Sequence, residues 1–242
     1  MLFNIVENQQ LTSSVYKMTL SGDVSAIKRA GQFVNVQIEG LYLRRPVSVC
    51  DFSENSLTLI YKVVGVGTKK MSLMQAGESL DLLVGLGNGF EVNVETEKPL
   101  LIGGGAGVPP LYALAKSLLK AGKKPTVILC FNTKNEIFLY TEFKNLGIDA
   151  FIATIDGSAG VKGFFSDVIK TQNIDFDYYF TCAPLPMLKA VYQQLTPSGQ
   201  LSFEERMGCG FGGCMGCTHK TKNGYKKVCT DTVLKKEEVL FD

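Results

Sequence analysis

Histidine occurs once in these 242 residues, at position 219, and tryptophan not at all. The absent tryptophan decides nothing. The lone histidine denies a zinc site of the usual kind its Cys/His pairs. Charge of one sign is also scarce: 25 Lys and Arg face 23 Asp and Glu, a net +2, which leaves no electrostatic footprint for nucleic acid. No apolar run approaches the roughly 18 residues a membrane span needs. The opening MLFNIVENQQ carries neither a basic n-region nor an apolar h-region, so a cytoplasmic location with reduced thiols is expected. Repeats and low-complexity tracts are missing as well. What remains is a chain long enough for one large or two small domains with sizeable cores. Its 25 glycines cluster at 65–67, 103–107 and 208–216, a distribution that suits ligand loops better than disorder.

Four of the seven cysteines lie in the last forty residues. Cys209, Cys214 and Cys217 form a C-x4-C-x2-C run and Cys229 follows. This is the spacing of a plant-type [2Fe–2S] site. The intervening glycines supply the φ > 0 positions and the close backbone approach of a loop that wraps a cluster and aims N–H groups at its sulfurs. A structural zinc site is the competing reading, with His219 as a possible fourth ligand. However, zinc sites usually show two C-x2-C pairs, and this chain has one. His219 is therefore expected as an exposed loop residue. Cys50, Cys130 and Cys182 stand in apolar surroundings and read as small buried hydrophobes.

Before the cysteines, two patterns succeed one another. From Leu2 to about Val94 short β-rich runs dominate, at Val15–Leu20, Gln32–Ile38, Leu57–Val63 and Leu80–Val84. Gly22, Gly31, Gly40 and Asp51–Ser56 punctuate them, and one helix begins at Gly67. That spacing predicts a small antiparallel barrel. From Lys98 the pattern alternates. Strands at Pro99–Ile102, Pro125–Phe131, Ala150–Thr154 and Tyr178–Cys182 are separated by helices at Val108–Ala121, Leu139–Leu146 and Phe165–Gln172, with a last helix at Leu188–Leu195. This predicts a doubly wound nucleotide-binding sheet. The expected division is a barrel over 1–97, an α/β domain over 98–200 and a cluster domain over 201–242.

Arg44 and Arg45 are placed at the end of a barrel strand. Arg45 offers a planar donor fork for a phosphate, with the Ser48 hydroxyl beside it. Gly65-Val66-Gly67-Thr68 opens the barrel's helix, where free N–H groups hold anions. Gly103-Gly104-Gly105-Ala106-Gly107 follows a strand and precedes a helix that starts with Pro109 and Pro110, the context of a dinucleotide loop, although the pattern is not G-x-G-x-x-G. Thr154, Asp156, Gly157 and Ser158 end one strand, and Cys182-Ala183-Pro184 ends another. Strand C-terminal ends are where such sheets bind ligands. Phe131-Asn132-Thr133-Lys134 offers neither an acidic ribose ligand nor an arginine, which leaves NAD against NADP open.

In this order the motifs resemble ferredoxin–NAD(P) reductase-type flavoproteins. The terminal segment from Glu204 through Cys229 resembles, more narrowly, the electron-transfer subunits (subunit K) of NAD-dependent dihydroorotate dehydrogenases. The resemblance covers nearly the whole chain. It implies that Arg45, Pro46, Val47 and Ser48 bind FAD, with Ile60, Tyr61 and Lys62 along the flavin and Gly67 and Thr68 closing the pyrophosphate site. Gly103–Gly107, Thr154, Asp156 and Cys182 would receive NAD, and the four terminal cysteines a [2Fe–2S] cluster. It further implies an FMN-containing catalytic subunit as partner, two copies of each in a heterotetramer, acting in pyrimidine biosynthesis. Two positions depart from the pattern. Val47 stands where an aromatic is common, which removes stacking on the flavin from that position. Ala183 replaces the glycine of C-G-P, which tightens backbone approach to the nicotinamide. None of these motifs carries a histidine or paired carboxylates, so no acid or base is expected in the hydride step. Two other readings stay open: a self-contained NAD(P)H reductase serving another acceptor, and a zinc-stapled binding module.

Overall fold

The computed structural model describes residues 1–241. Six antiparallel strands close a barrel: β1 (Leu2–Gln10), β2 (Val15–Ser21), β3 (Phe33–Val36), β4 (Arg45–Ser53), β5 (Ser56–Lys62) and β6 (Ser79–Leu86), in the order β1-β2-β5-β4-β3-β6. Alternation explains the closure. Phe3, Ile5, Met18, Leu20, Val34, Val36, Leu57 and Leu59 fill one apolar interior from alternate positions. Helix α1 (Val66–Leu73) follows β5 and buries Met71 against the same interior.

Two barrel features differ from the sequence expectation. Strand β1 spans nine residues, yet only Phe3 and Ile5 are buried in it and its register shifts between Ile5 and Glu7, so its alternation is broken. Arg45 begins a strand rather than ending one: β4 runs on through Asp51–Ser53, paired with Thr58, Leu57 and Ser56, so only Glu54 and Asn55 make the turn.

The second sheet has the order β10-β9-β8-β7-β11-β12-β15. It comprises β7 (Pro99–Gly104), β8 (Thr126–Phe131), β9 (Asp149–Thr154), β10 (Val161–Lys162), β11 (Tyr178–Cys182), β12 (Gly199–Ser202) and β15 (Val233–Lys235), all parallel except β15. Helices α2 (Pro109–Lys120) and α3 (Tyr140–Asn145) pack on one face, where they share a core with Leu101, Val127, Leu129 and Phe180. Helices α4 (Phe165–Thr171) and α5 (Leu185–Gln194) cover Leu100, Ile102, Ile128 and Tyr179 on the other. The sheet is thus doubly wound, and strand order reverses between β7 and β11. Helix α5 begins three residues earlier than expected, because Pro186 sits in its first turn, where no N–H is needed.

The C-terminal segment is not a detached appendage. Strand β12 crosses the expected boundary at 200/201, and β15 adds an antiparallel edge to the nucleotide sheet. Between them lie the cysteine loop and a hairpin of β13 (Thr218–Thr221) and β14 (Gly224–Lys227). The barrel grips the same segment. Asn88, just past β6, donates from Nδ2 to the Val233 carbonyl at 2.8 Å and accepts the Val233 N–H at 2.9 Å. Among the described residues no helix is long and apolar enough to cross a membrane.

Replacing Asn88 with Ala removes both bonds and strands two main-chain groups. A loss of about 1–3 kcal/mol is expected, read as a lower urea midpoint at unchanged slope. An unmoved midpoint would show that this grip is not needed.

Candidate functional site

The barrel's outer face, the β7 loop and the C-terminal segment enclose one cavity of about 300 Å³. Pro46, Val47 and Ser48 of β4, Ile60, Tyr61 and Lys62 of β5, and Thr68 of α1 line one side, which brings together most of the expected flavin residues. Ala106 lines it from the nucleotide domain, and Phe203, Glu204, Glu205, Met207 and Thr232 from the C-terminal segment. Ile60 belongs to the core shared with α2, whereas Tyr61 points into the barrel, where its hydroxyl donates to Asn8 Oδ1 at 3.0 Å. Burial pushes the Tyr61 phenol up to about 12, so it stays neutral.

The two arginines have separate roles. Arg44 is tied into the barrel: its guanidinium reaches Asp81 Oδ2 and Gln37 Oε1, both at 2.7 Å, and the carbonyls of Asp81 and Asn35. Arg45 donates only to the main-chain carbonyls of Leu43 and Arg44. Its side chain lies against Gly67, where a Cβ would stand 2.5 Å from Nε. Neither Arg45 nor Gly67 lines the cavity, although their chain neighbours Pro46 and Thr68 do. The Thr68 hydroxyl accepts the N–H groups of Val64 and Gly65 and so shapes the first turn of α1 rather than standing free.

At the switch point, Gly107 is pressed against the end of β11. A Cβ there would lie 2.1 Å from the Cys182 carbonyl oxygen, and one on Gly104 would lie 3.0 Å from the Ala183 methyl. Gly103–Gly107 and Cys182–Pro184 therefore form one tight strand-end crevice. Ala183 is buried at 3% exposure, so its methyl crowds Gly104 instead of narrowing the cleft. The Cys182 thiol is also buried, and desolvation pushes its pKa up. Thr154 and Asp156 end β9, two strands from β7. The Thr154 side chain is buried and bonds the Ala159 main chain, whereas Asp156 is exposed, its carboxyl held down by the hydroxyl and N–H of Ser158.

The four loop cysteines stand as two pairs. The Cys214 N–H points at Cys209 Sγ at 3.3 Å, and the Cys229 N–H at Cys217 Sγ at 3.4 Å. Gly216 N–H approaches Cys214 Sγ at 3.5 Å. Gly210 and Gly212 take φ of +77° and +89°, as a wrapping loop requires. The N–H of Phe211, aided by those of Cys214 and Gly213, lowers the Cys209 thiol to about 6, and burial with Cys217 beside it raises Cys229 to about 11. Among the described residues no three His, Cys, Asp or Glu side chains converge as ligands of a single ion. Two thiol pairs with N–H groups aimed at sulfur suit a two-iron cluster, each iron taking one pair. His219 is a half-buried residue of β13 rather than an exposed loop residue, and its ring packs 4.7 Å from that of Phe203.

Sequence reasoning missed the cavity's third wall. Phe203, Glu204, Glu205, Met207 and Thr232 reach it only because β12 and β15 join the nucleotide sheet.

A family model for the iron–sulfur cluster binding domain of dihydroorotate dehydrogenase B matches residues 204–232, which include all four cysteines. Over nearly the whole chain, the electron transfer subunit of dihydroorotate dehydrogenase B (NAD(+)) from Fusobacterium nucleatum is 44% identical, covering 94% of this chain and 93% of its own. The corresponding subunit from a Geobacillus species is also 44% identical, over 98% and 97%. The chain belongs to the family of electron transfer subunits of NAD-dependent dihydroorotate dehydrogenase B. Among solved structures, that of an NADH-dependent reduced ferredoxin–NADP oxidoreductase, described for flavin-based electron bifurcation, superposes with a TM-score of 0.89 at 30% identity, over 99% of this chain and 90% of that one. A ferredoxin–NADP+ reductase from Neisseria gonorrhoeae shares the fold at a TM-score of 0.69 and 16% identity, over 80% and 89%. Among dihydroorotate dehydrogenase B electron transfer subunits, the barrel-then-α/β order with a C-terminal cysteine loop therefore belongs to an oxidoreductase module that works with a catalytic subunit.

Gly107 offers a direct check on the crevice. In Gly107→Ala the new methyl meets main chain that cannot give way. A stability loss of about 1–3 kcal/mol is expected, with KM for NADH raised about tenfold or more. Wild-type KM and melting temperature together would show that β7 and β11 part freely there.

Proposed function

We propose that this subunit receives electrons from an FMN-containing dihydroorotate-oxidising subunit and delivers them to NAD+ through a [2Fe–2S] cluster and FAD, within the cytoplasm, in a heterotetramer of two of each chain. The observation that carries the reading is the single cavity, walled by the barrel, the β7 loop and the segment that bears the cysteines. In this reading residues 1–97 hold FAD, 98–200 receive NAD+ and 201–242 hold the cluster.

Both groups suit the residues present. The cavity has a largely apolar lining, as an isoalloxazine needs, and Arg45 packs on Gly67 next in sequence to its lining residues Pro46 and Thr68. The paired thiols, with N–H groups aimed at them, suit the cluster. When bound, a flavin exchanges a hydride with a nicotinamide and single electrons with a cluster, which is why it belongs between them.

The chain's own residues then have defined tasks. Arg45 and the first turn of α1 hold the pyrophosphate. Pro46, Val47 and Ser48 bear on the flavin from β4, and Ile60 and Lys62 from β5. Val47 supplies van der Waals contact without stacking. Gly103–Gly107 and the Cys182 strand end bring main chain, not side chains, to the nicotinamide, with Thr154 shaping the loop that presents Asp156. Among the described residues the cavity lining holds no histidine, and its only carboxylates are Glu204 and Glu205 at the C-terminal wall, where desolvation raises the Glu204 carboxyl. The hydride step asks for distance and orientation rather than for an acid or base.

Arg45→Ala should weaken FAD about ten- to a hundredfold, as loss of a charge-assisted phosphate bond implies. Arg44→Ala should cost less flavin affinity, since Arg44 is already engaged by Asp81. Equal FAD retention in wild type and Arg45→Ala would move the phosphate site.

The function is tested by purifying the chain alone and with the catalytic subunit. Alone, it should show flavin and iron–sulfur absorption and oxidise NADH with artificial acceptors, but leave dihydroorotate untouched. Together, the subunits should couple dihydroorotate oxidation to NAD+ reduction, two electrons leaving one and entering the other as a hydride. Phe211 and Met215, 61% and 64% exposed beside the cysteines, mark the docking surface. Phe211→Glu should impair coupling and spare the artificial-acceptor reaction. Dihydroorotate turnover by the isolated chain would sink the two-subunit reading.

A further inference from the structure

Strand β3 carries a buried amide that none of the roles above uses. Asn35 is 1% exposed, and its Nδ2 donates to the carbonyl of Cys209 at 3.2 Å, across 174 positions of sequence. Its Oδ1 is buried without a partner. An unpaired buried acceptor is costly, so a residue kept for filling space alone would not be an amide. The cluster loop is folded down onto this group: at Gly210, with φ of +77°, a Cβ would lie 2.2 Å from Asn35 Nδ2. From the barrel side, Arg44 Nη1 donates to the Asn35 carbonyl at 3.3 Å and is itself fixed by Asp81.

Neighbouring positions make this bond more than a local tether. Asn35 pairs in register with Pro46, and Phe33 with Ser48, so β3 lies directly beside the strand that walls the cavity. Phe33 lines the cavity and shares a buried apolar cluster with Cys217 and Cys229. On the other side of β3 in the barrel, β6 leads to Gly87, whose N–H donates to the Cys229 carbonyl at 3.2 Å. Each cysteine pair is therefore fastened to the barrel through one main-chain carbonyl, Cys209 by Asn35 and Cys229 by Gly87. The Cys229 bond is made by main chain, whereas the Cys209 bond depends on one side chain.

We propose that Asn35 is a positioning residue for electron transfer: its Nδ2–H bond to the Cys209 carbonyl sets the Cys209/Cys214 half of the cluster site relative to the flavin cavity. The inference rests on the cluster assignment made above. Electron transfer between two centres falls steeply with their separation, so a loop free to shift slows that transfer without touching the hydride step at the nicotinamide.

The test compares the FAD- and iron-loaded wild type with Asn35→Asp and Asn35→Ala. Asn35→Asp keeps size and removes the donor. Both variants should retain FAD and reduce it with NADH at the wild-type rate. Both should show a changed EPR signal of the reduced cluster and lose iron to a chelator about tenfold faster, as loss of a buried hydrogen bond allows. Wild-type EPR and iron-release rate in Asn35→Asp would overturn the proposal, because donation to Cys209 would then be dispensable. If Asn35→Ala loses FAD together with iron, its fold has failed and Asn35→Asp alone decides. Wild-type protein that never binds iron would instead defeat the cluster assignment, a different failure from unaltered Asn35 variants that do bind it.

Discussion

The cavity at the centre of this molecule exists because its C-terminal segment is bound twice. Strand β15 hydrogen-bonds to β12 at the edge of the nucleotide sheet, and Asn88 bonds both main-chain groups of Val233 from the barrel. One three-residue strand thus belongs to both domains. Barrel and sheet also meet directly, where Cys50 and Ile60 share a core with α2 and Asp51 pairs with Lys116 at 2.7 Å. That ion pair is partly exposed and contributes little. The apolar contact joins the domains, and the C-terminal segment closes the space they leave.

This arrangement serves a reaction that exchanges single electrons for an electron pair. A two-electron acceptor and a one-electron carrier must each approach the same intermediate group from its own side. Here Ala106 brings the nucleotide loop to the cavity, and Met207 and Thr232 bring the cysteine segment. The chain contributes walls, strand ends and aligned N–H groups rather than reactive side chains. The thiols outside the loop, Cys50 and Cys182 buried and Cys130 partly so rather than fully as expected, fit that economy: desolvation raises Cys50 and Cys182, and takes Cys130 to about 12, which keeps them protonated and inert.

What could be read from the sequence was local. Cysteine spacing, glycine loops at strand ends and the switch from period-two to alternating β and α segments were all short-range signals, and they gave the fold class and most of the cavity's barrel side. What could not be read depended on pairing across long separations. Strand β12 is Gly-Gln-Leu-Ser, polar in composition yet wholly buried because it is covered on both sides. Strand β15 is three residues of edge pairing with no pattern of its own. Asn35 looks like a polar residue on an outer barrel face, and only the fold puts Cys209 above it. Arg44 and Arg45 read as the end of a strand, yet Arg45 opens β4 and the next residue, Pro46, pairs with Asn35 within a ladder. Nothing near His219 in sequence foretells the Phe203 ring on which it packs.

The two cysteine pairs are not equivalent, and the difference has a direction. Cys217 and Cys229 are each 1% exposed and lie in the apolar cluster that contains Phe33, a wall of the cavity. Cys209 and Cys214 are half-exposed, with Phe211 and Met215 turned outward beside them. One pair therefore lies on the cavity side and the other faces solvent. Burial disfavours added charge, and exposure with N–H donors favours it. The barrel's grip on Cys229 through main chain and on Cys209 through one amide has the same polarity, rigid on the inside and adjustable at the surface.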